Sequence, residues 1–385
     1  MFFSSVSALL FRVKAAQTAG FSDCLSATAS SAVAVDPARC SFIFDACIKD
    51  KTKNTKNTVD SALKETSSSS VNASALFVYI LDLSPDASFS QVHQLLHVLY
   101  ASSEKSRSFF YPKAPQIFVI IANWCGYSLF DQPYKWADIY ILCEDDVQFV
   151  PERLQTCIHL ISCKQDDHVT SALGHVTGVE QEAKEKVQRY KKVAVGGTFD
   201  HLHAGHKVLL TMSAWISNER VMCGVSGKKY NTQNSRKKVE NMNGKEKKGY
   251  ICKNDLCASC AYLVLLIKKA EKMLETKKYK EWIEPIENRI KNVQSFFSII
   301  NKRLVCSVKP IYDVYGATII DKDIEAIVVS EETRKGGEMV NEERVRRNMK
   351  PLDLFCINVI PDIEERSGLK LSSVSIREKM TKNSS

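Results

Sequence analysis

The chain has 385 residues, 44% of them hydrophobic, with 53 Lys and Arg against 44 Asp and Glu and only 15 Gly and 10 Pro. That balance excludes collagen-like, mucin-like and wholly disordered classes, and the length suits two domains. The net charge of +9 invites a nucleic-acid reading, but residues 228–280 alone hold 15 Lys and Arg against five Asp and Glu; charge confined to one stretch reads as a solvated basic insertion, and no nucleic-acid partner is expected.

Residues 1–35 carry seven Ser, Arg12 and Lys14, no acid before Asp23, and a short apolar cluster at Ala8–Phe11. This is the composition of a transit peptide or an unstructured tail, and the first reading adds a mitochondrial association to an otherwise cytoplasmic chain. The tracts KDKTKNTKNT (Lys49–Thr58) and TSSSS (Thr66–Ser70) bury nothing, so residues 1–70 are expected to be tail and linker. No apolar run nears the ~18 residues of a membrane helix, so no transmembrane segment is expected. The 13 Cys are scattered, several inside apolar runs (Cys143, Cys223, Cys306, Cys356), and read as reduced thiols.

A small α/β domain is expected over 71–175, with strands at Ala75–Leu83, Gln116–Ala122 and Asp138–Cys143 and a helix at Gln91–Tyr100. It shows no chemical motif. His93 and His97 stand four apart, a spacing that suits a metal but lacks a third ligand.

The second domain, 190–385, alternates strands (Lys192–Val195, Arg220–Ser226, Arg303–Val308, Ala326–Ser330, Leu352–Ile360) with helices (His206–Ser217, Ile286–Asn301, Glu338–Asn348). Repeated strand–helix–strand units predict a Rossmann-like parallel sheet covered on both faces, with ligands at the carboxyl ends of the strands. The basic insertion, 231–280, interrupts it and carries a further helix candidate at Ala261–Glu275.

The chemistry concentrates in VAVGGTFDHLHAGH, Val193–His206, where three of the eight histidines fall within six residues. A strand delivers the chain to Gly196 and Gly197, which let backbone approach a phosphate. A helix then begins near His206 with free N–H groups and a positive dipole end. His203 and His206 can both face that point and stabilise phosphate charge.

GGTFDHLHAGH resembles the signature of the HxGH nucleotidyltransferase superfamily. With Val225–Lys229, Val328–Gly337 and Leu371–Arg377 in matching order, residues 190–380 are similar to the eukaryotic phosphopantetheine adenylyltransferases. Among these the likeness is nearest to the adenylyltransferase part of bifunctional coenzyme A synthase. The resemblance implies AMP transfer from ATP, accompanied by Mg²⁺, to 4′-phosphopantetheine. It implies that Thr198 and the Gly196, Gly197 and Phe199 backbone hold phosphate, that His206 contacts the α-phosphate with His203 beside it, and that Lys228 (or Lys229) neutralises charge. Glu332, Thr333 and Arg334, with Asn341 and Arg344 on the next helix, would line the adenine and phosphate side. Ser372, Ser373, Ser375 and Arg377 would take the β- and γ-phosphates. No resident metal is implied.

Two features depart from the bifunctional pattern. The dephospho-coenzyme A kinase half needs a G-x-x-x-x-G-K-[ST] loop and none is present, so a separate kinase is expected as pathway partner; Gly224-Val-Ser-Gly-Lys228 has the wrong spacing. The insertion holds Cys252, Cys257 and Cys260, one ligand short of a zinc knuckle. A cytidylyltransferase acting on a phospho-alcohol, a class I aminoacyl-tRNA synthetase and a non-catalytic nucleotide-binding scaffold share parts of the pattern. The GGTFD lead, the LSSVSIR segment and the intact His203, His206, Thr198 and Arg377 favour the adenylyltransferase.

Overall fold

The computed structural model describes residues 6–11, 74–108, 115–161, 188–227, 274, 277–360 and 371–382. Its strands are β1 (Val6–Phe11), β2 (Ala75–Ile80), β3 (Gln116–Ile121), β4 (Trp136–Ile141), β5 (Ile158–Leu160), β6 (Tyr190–Gly197), β7 (Ser217–Ser226), β8 (Val305–Ile311), β9 (Ala326–Ser330) and β10 (Asp353–Ile357). The helices are α1 (Phe89–Ser108), α2 (Ala204–Trp215), α3 (Ile286–Ile300), α4 (Arg334–Arg346) and α5 (Ser373–Lys382).

Two five-stranded sheets result, ordered β3-β2-β1-β4-β5 and β10-β9-β6-β7-β8, and every strand pair in both is parallel. Counted from its own first strand, β6, the second sheet runs third, second, first, fourth, fifth. That is the order of the first sheet. The chain therefore holds two α/β units of one topology, each with its reversal point beside its first strand, where a crevice opens at the strand ends.

β1 and β2 are buried at every position and apolar but for Ser7, whose hydroxyl donates to Asp138 Oδ2 at 3.2 Å, as central strands of a covered parallel sheet must be. This corrects the tail reading of residues 1–70 at one place. Ala8–Phe11 belongs to the central strand, paired on one side with β2 and on the other with β4. β3 is the edge nearest the second unit. Its outward groups are capped: Tyr100 Oη accepts from Val119 N–H at 3.1 Å, and Lys207 Nζ donates to the Ile117 carbonyl at 2.7 Å.

In the second unit α2 begins two residues before its expected start and α4 four residues before. The Gly336-Gly337 pair looks like a breaker, yet Ser330 and Thr333 form a capping box on the 3₁₀ turn Glu331–Thr333, which runs straight into the helix ahead of the pair. Gly337 sits where a Cβ would come within 2.6 Å of Leu354 Cδ1, so the glycine lets α4 lie close on β10. β8 runs three residues past its expected end, through Pro310, which an edge strand tolerates.

One apolar cluster runs from the first sheet through α2 and α3 into the second, so the units share a core. Trp215, 1% exposed, is the largest of its fully buried side chains; truncating such a residue to Ala costs roughly 3–5 kcal/mol. The opposite face of the second sheet has a smaller cluster under α4.

Candidate functional site

β6 ends at Gly197 and α2 starts at Ala204, leaving a six-residue turn, Thr198–His203, at the carboxyl crest of the second sheet. Phe199 and His201 adopt positive φ of 50° and 47° in that turn, a conformation that costs a non-glycine residue about 1 kcal/mol or more. The segment leading into α3 holds it there. Asp200 Oδ1 accepts the Glu284 N–H at 2.8 Å, His201 N–H donates to Glu284 Oε2 at 2.7 Å, and the His201 ring bonds the Trp282 carbonyl at 2.9 Å. From α3 the buried Arg289 donates Nη1 to the carbonyls of Thr198 (2.7 Å) and Ser226 (2.8 Å), tying the ends of β6 and β7 together.

His203 and His206 stack on each other with ring centroids 3.8 Å apart and 27° between planes. Gly205 permits this: a Cβ there would stand 3.3 Å from the His203 ring. Crowding pushes both imidazoles toward the neutral form. Burial, then the charges of Lys207 and His201, takes His203 down to about 3. Burial, then His203, Lys277 and His201, holds His206 well below the ordinary histidine value. Both Nδ1 atoms are buried without a hydrogen-bond partner in the protein. They lie at the start of α2, whose first backbone N–H groups have no intrahelical acceptors. A polar ligand there meets unsatisfied nitrogens and a helix N-terminus together.

The serine segment comes to the same turn. Ser373 Oγ donates to the Asp200 carbonyl at 2.9 Å, and Ser372 and Ser375 cap α5 by exchanging bonds with each other's backbone N–H at 3.2 Å. Thr198 Oγ1 accepts from Ser226 Oγ at 3.2 Å. Across the reversal point, Glu332, Thr333 and Arg334 follow β9; Thr333 is engaged with Ser330, and Arg334 forms an exposed pair with Glu338 at 3.4 Å. Gly196, Gly197, Thr198, Phe199, His203, His206 and the serines are thus brought to one crest.

Three expected ligands are struts here. Arg344 is fully buried and donates to the carbonyls of Lys350 (2.6 Å), Thr318, Asp321 (3.2 Å) and Ile324 (3.3 Å), with no donor turned to the crest. Asn341 spends its amide on both backbone groups of Leu352, at 2.9 and 2.7 Å. Arg377, 1% exposed, pairs with the fully buried Asp200 and donates Nε to the Lys278 carbonyl at 3.2 Å. Long polar side chains near a phosphate motif suit ligand and strut alike, and burial decides between them. Lys228, Lys229 and the three insertion cysteines lie outside the described residues. The end of the insertion does not read as peripheral: Leu274 is buried, and Lys278 holds Arg377. Sequence reasoning missed Asp200, Glu284 and Arg289; Arg289 shows as a charged residue on the apolar face of an amphipathic helix.

A groove of about 530 Å³, counting space open to solvent, reaches the crest from the α4 side of the sheet. Ala194, Gly196, Met222, Gly224 and Ile311 wall it, with Ser307 and Lys309 among its polar lining residues.

The sequence has counterparts among known proteins. The chain is 34% identical over 190 residues to a phosphopantetheine adenylyltransferase of Pyrococcus furiosus, a match covering 49% of this chain and 89% of that one. The chain belongs to the phosphopantetheine adenylyltransferase family. A family member from Saccharomyces cerevisiae is 31% identical over 54% of each chain, and an uncharacterized protein of Schizosaccharomyces pombe is 34% identical over 49% of this chain and 48% of its own length. The chain thus spans about half the length of these two yeast relatives. No family model matches it. A structure from Archaeoglobus fulgidus, of unknown function, aligns at 19% identity with a TM-score of 0.26 over 43% of this chain and 88% of that chain. Among the described residues no helix is long and apolar enough to cross a membrane.

Proposed function

We propose that the chain transfers AMP from ATP to 4′-phosphopantetheine, giving dephospho-coenzyme A and pyrophosphate, as a step of coenzyme A biosynthesis. The observation that carries this reading is the stacked, neutral His203–His206 pair with buried, unpartnered Nδ1 atoms at the start of α2. A phosphate oxygen of the acceptor attacks the α-phosphorus in line. The new P–O bond forms as the bond to pyrophosphate breaks, and no covalent enzyme intermediate is needed. An attacking phosphate needs no general base, so positioning and charge stabilisation carry the rate.

In this reading the α2 N-terminus, Thr198 and His206 meet the α-phosphate, the α5 N-terminus meets the outer phosphates, and Lys228 adds charge. The acceptor's long uncharged arm suits the apolar groove, with Lys309 and Ser307 for its polar groups. Asp200 is committed to Arg377 and the Glu284 N–H, so its carboxylate is not open to a metal. Mg²⁺ therefore suits this crest as the companion of ATP, held by phosphates and water. A separate kinase completes the cofactor, and a cytoplasmic location suits the free thiols of the described cysteines.

The test is pyrophosphate release with ATP and 4′-phosphopantetheine, measured beside CTP and phosphocholine. Turnover only with the first pair is expected. Turnover only with the second would assign a cytidylyltransferase, and binding without turnover in either would assign a scaffold.

A further inference from the structure

The match to the Pyrococcus furiosus relative takes in 49% of this chain and 89% of that one, so about half of this chain lies outside it. In this chain the first α/β unit is built into the second. At the far end of α2, Trp215 Nε1 donates to the Ala87 carbonyl at 3.3 Å and the Trp124 ring packs at 5.4 Å. The Arg189 guanidinium lies 4.5 Å over the Trp215 ring and donates to the Pro85 carbonyl at 3.0 Å. Behind α3, Asn301 donates to the Trp124 carbonyl at 2.9 Å. After β10, the Asn358 N–H donates to His93 Nε2 at 3.1 Å.

At the near end of α2 Lys207 makes the connection. Lys207, the residue after His206, is 5% exposed. Its ammonium donates to the Ile117 carbonyl on the edge of β3 at 2.7 Å and stands 4.2 Å from the Phe118 ring centroid. Its backbone N–H donates to the His203 carbonyl at 3.0 Å, which makes the first helical bond of α2. One residue thus joins the first sheet to the bond that fixes His203 against His206.

We propose that Lys207 is a positioning residue through which the first α/β unit sets the geometry of the His203–His206 turn. A buried ammonium keeps its place only with charge-stabilising partners, and an edge carbonyl and a ring face supply both kinds. The stem is held at its tip by the first sheet and at its base by the helix, so a shift of either moves the turn. Burial does most to keep His203 neutral, and the charge of Lys207 adds to it, beside that of His201 on the preceding turn.

The proposal rests on the adenylyltransferase reading for its kinetic test and stands apart from it for its titration test. Lys207→Met keeps the stem and removes the charge. Phe118→Leu loosens the same anchor from the first unit and leaves α2 unaltered. Expected for Lys207→Met is a kcat lower by roughly ten- to hundredfold with the KM for ATP within threefold, because misplacement of about 1 Å is enough for such a loss. Phe118→Leu should lose kcat in the same direction by a smaller factor. In ligand-free protein, the His203 resonance in ¹³C-histidine spectra should titrate at higher pH in Lys207→Met than in wild type. Wild-type kcat per folded molecule in both variants, even with lowered thermal stability, would reduce the contact to packing and overturn the proposal. If wild type itself shows no turnover, the adenylyltransferase reading fails and the titration decides: an unmoved His203 overturns the role of Lys207, and a moved one sustains it.

Discussion

The Asp200–Arg377 pair gives the sharpest test of how the crest is held. Both side chains are withdrawn from solvent, at 0% and 1% exposure, and they join the turn after β6 to α5 across 177 residues of sequence. Asp200→Asn removes the charge that Arg377 answers and leaves a buried guanidinium with the Lys278 carbonyl as its remaining partner among the described residues. Breaking a buried pair from one side costs about 3–5 kcal/mol, which is a large share of the 5–15 kcal/mol that holds a typical domain together. Arg377→Met should cost less, because Asp200 still accepts the Glu284 N–H at 2.8 Å and Met refills the stem's volume. The double variant should be more stable than the sum of the singles implies, by about 1–3 kcal/mol of coupling. Denaturant unfolding of the four proteins measures this cycle directly. Binding of an ATP analogue to the folded fraction separates strut from ligand: a strut that only holds α5 in place leaves affinity within a few fold. Additive stabilities together with a hundredfold loss of nucleotide affinity in Arg377→Met would show that Arg377 turns to the phosphates after all, and that the buried pair is not its working state.

Three further outcomes follow from the same geometry. His206→Ala should lower kcat by roughly 10²–10³ with a much smaller change in ATP affinity, since a preorganised donor acts on charge that develops during transfer; equal losses in both, by steady-state kinetics and calorimetry, would make His206 an ordinary binding residue. The lowered imidazole values of His203 and His206 mean that the unfolded chain takes up protons near pH 6.5 while the folded chain does not. Stability on their account is therefore full above pH 6.5 and declines as pH falls toward about 3 for His203; unfolding midpoints of His203→Gln/His206→Gln should show a shallower acid decline than wild type, and an identical slope would refute the shift. Deleting residues 231–270 should leave fold and turnover intact, with a KM for ATP that rises at low salt and converges with wild type at high salt. Extending the deletion through 280 should abolish turnover, because Lys278 is lost from Arg377.

The second unit was legible because its instructions are local. A strand, two glycines and a helix start lie within fifteen residues, and the chemistry of each is fixed by its neighbours in sequence. β1 was not legible, because five apolar residues and a serine in a serine-rich stretch acquire meaning only by pairing with β2 and β4, more than sixty residues away. The same distance hid the roles of Arg344, Asn341 and Arg377. Their types announce charge or polarity near a phosphate motif, and only the fold shows that this is spent one layer behind the crest. That displacement has a consequence for the chemistry. The buried charges of Asp200, Arg289 and Arg377 fix the backbone of the turn, while the surface left to a ligand is made of neutral imidazoles, hydroxyls and N–H dipoles. Fixed neutral donors add little to the binding of resting ATP and gain strength as charge grows on the departing pyrophosphate, which is the distribution that raises kcat rather than lowers KM. Full positive charge would then come from outside the imidazole pair, as from Lys277, whose charge already bears on His206. Nucleotide affinity, measured by calorimetry, should accordingly change little on the pair's account as pH is taken through the ordinary histidine range, and a steep tightening as pH falls would show that the pair takes up protons with the ligand.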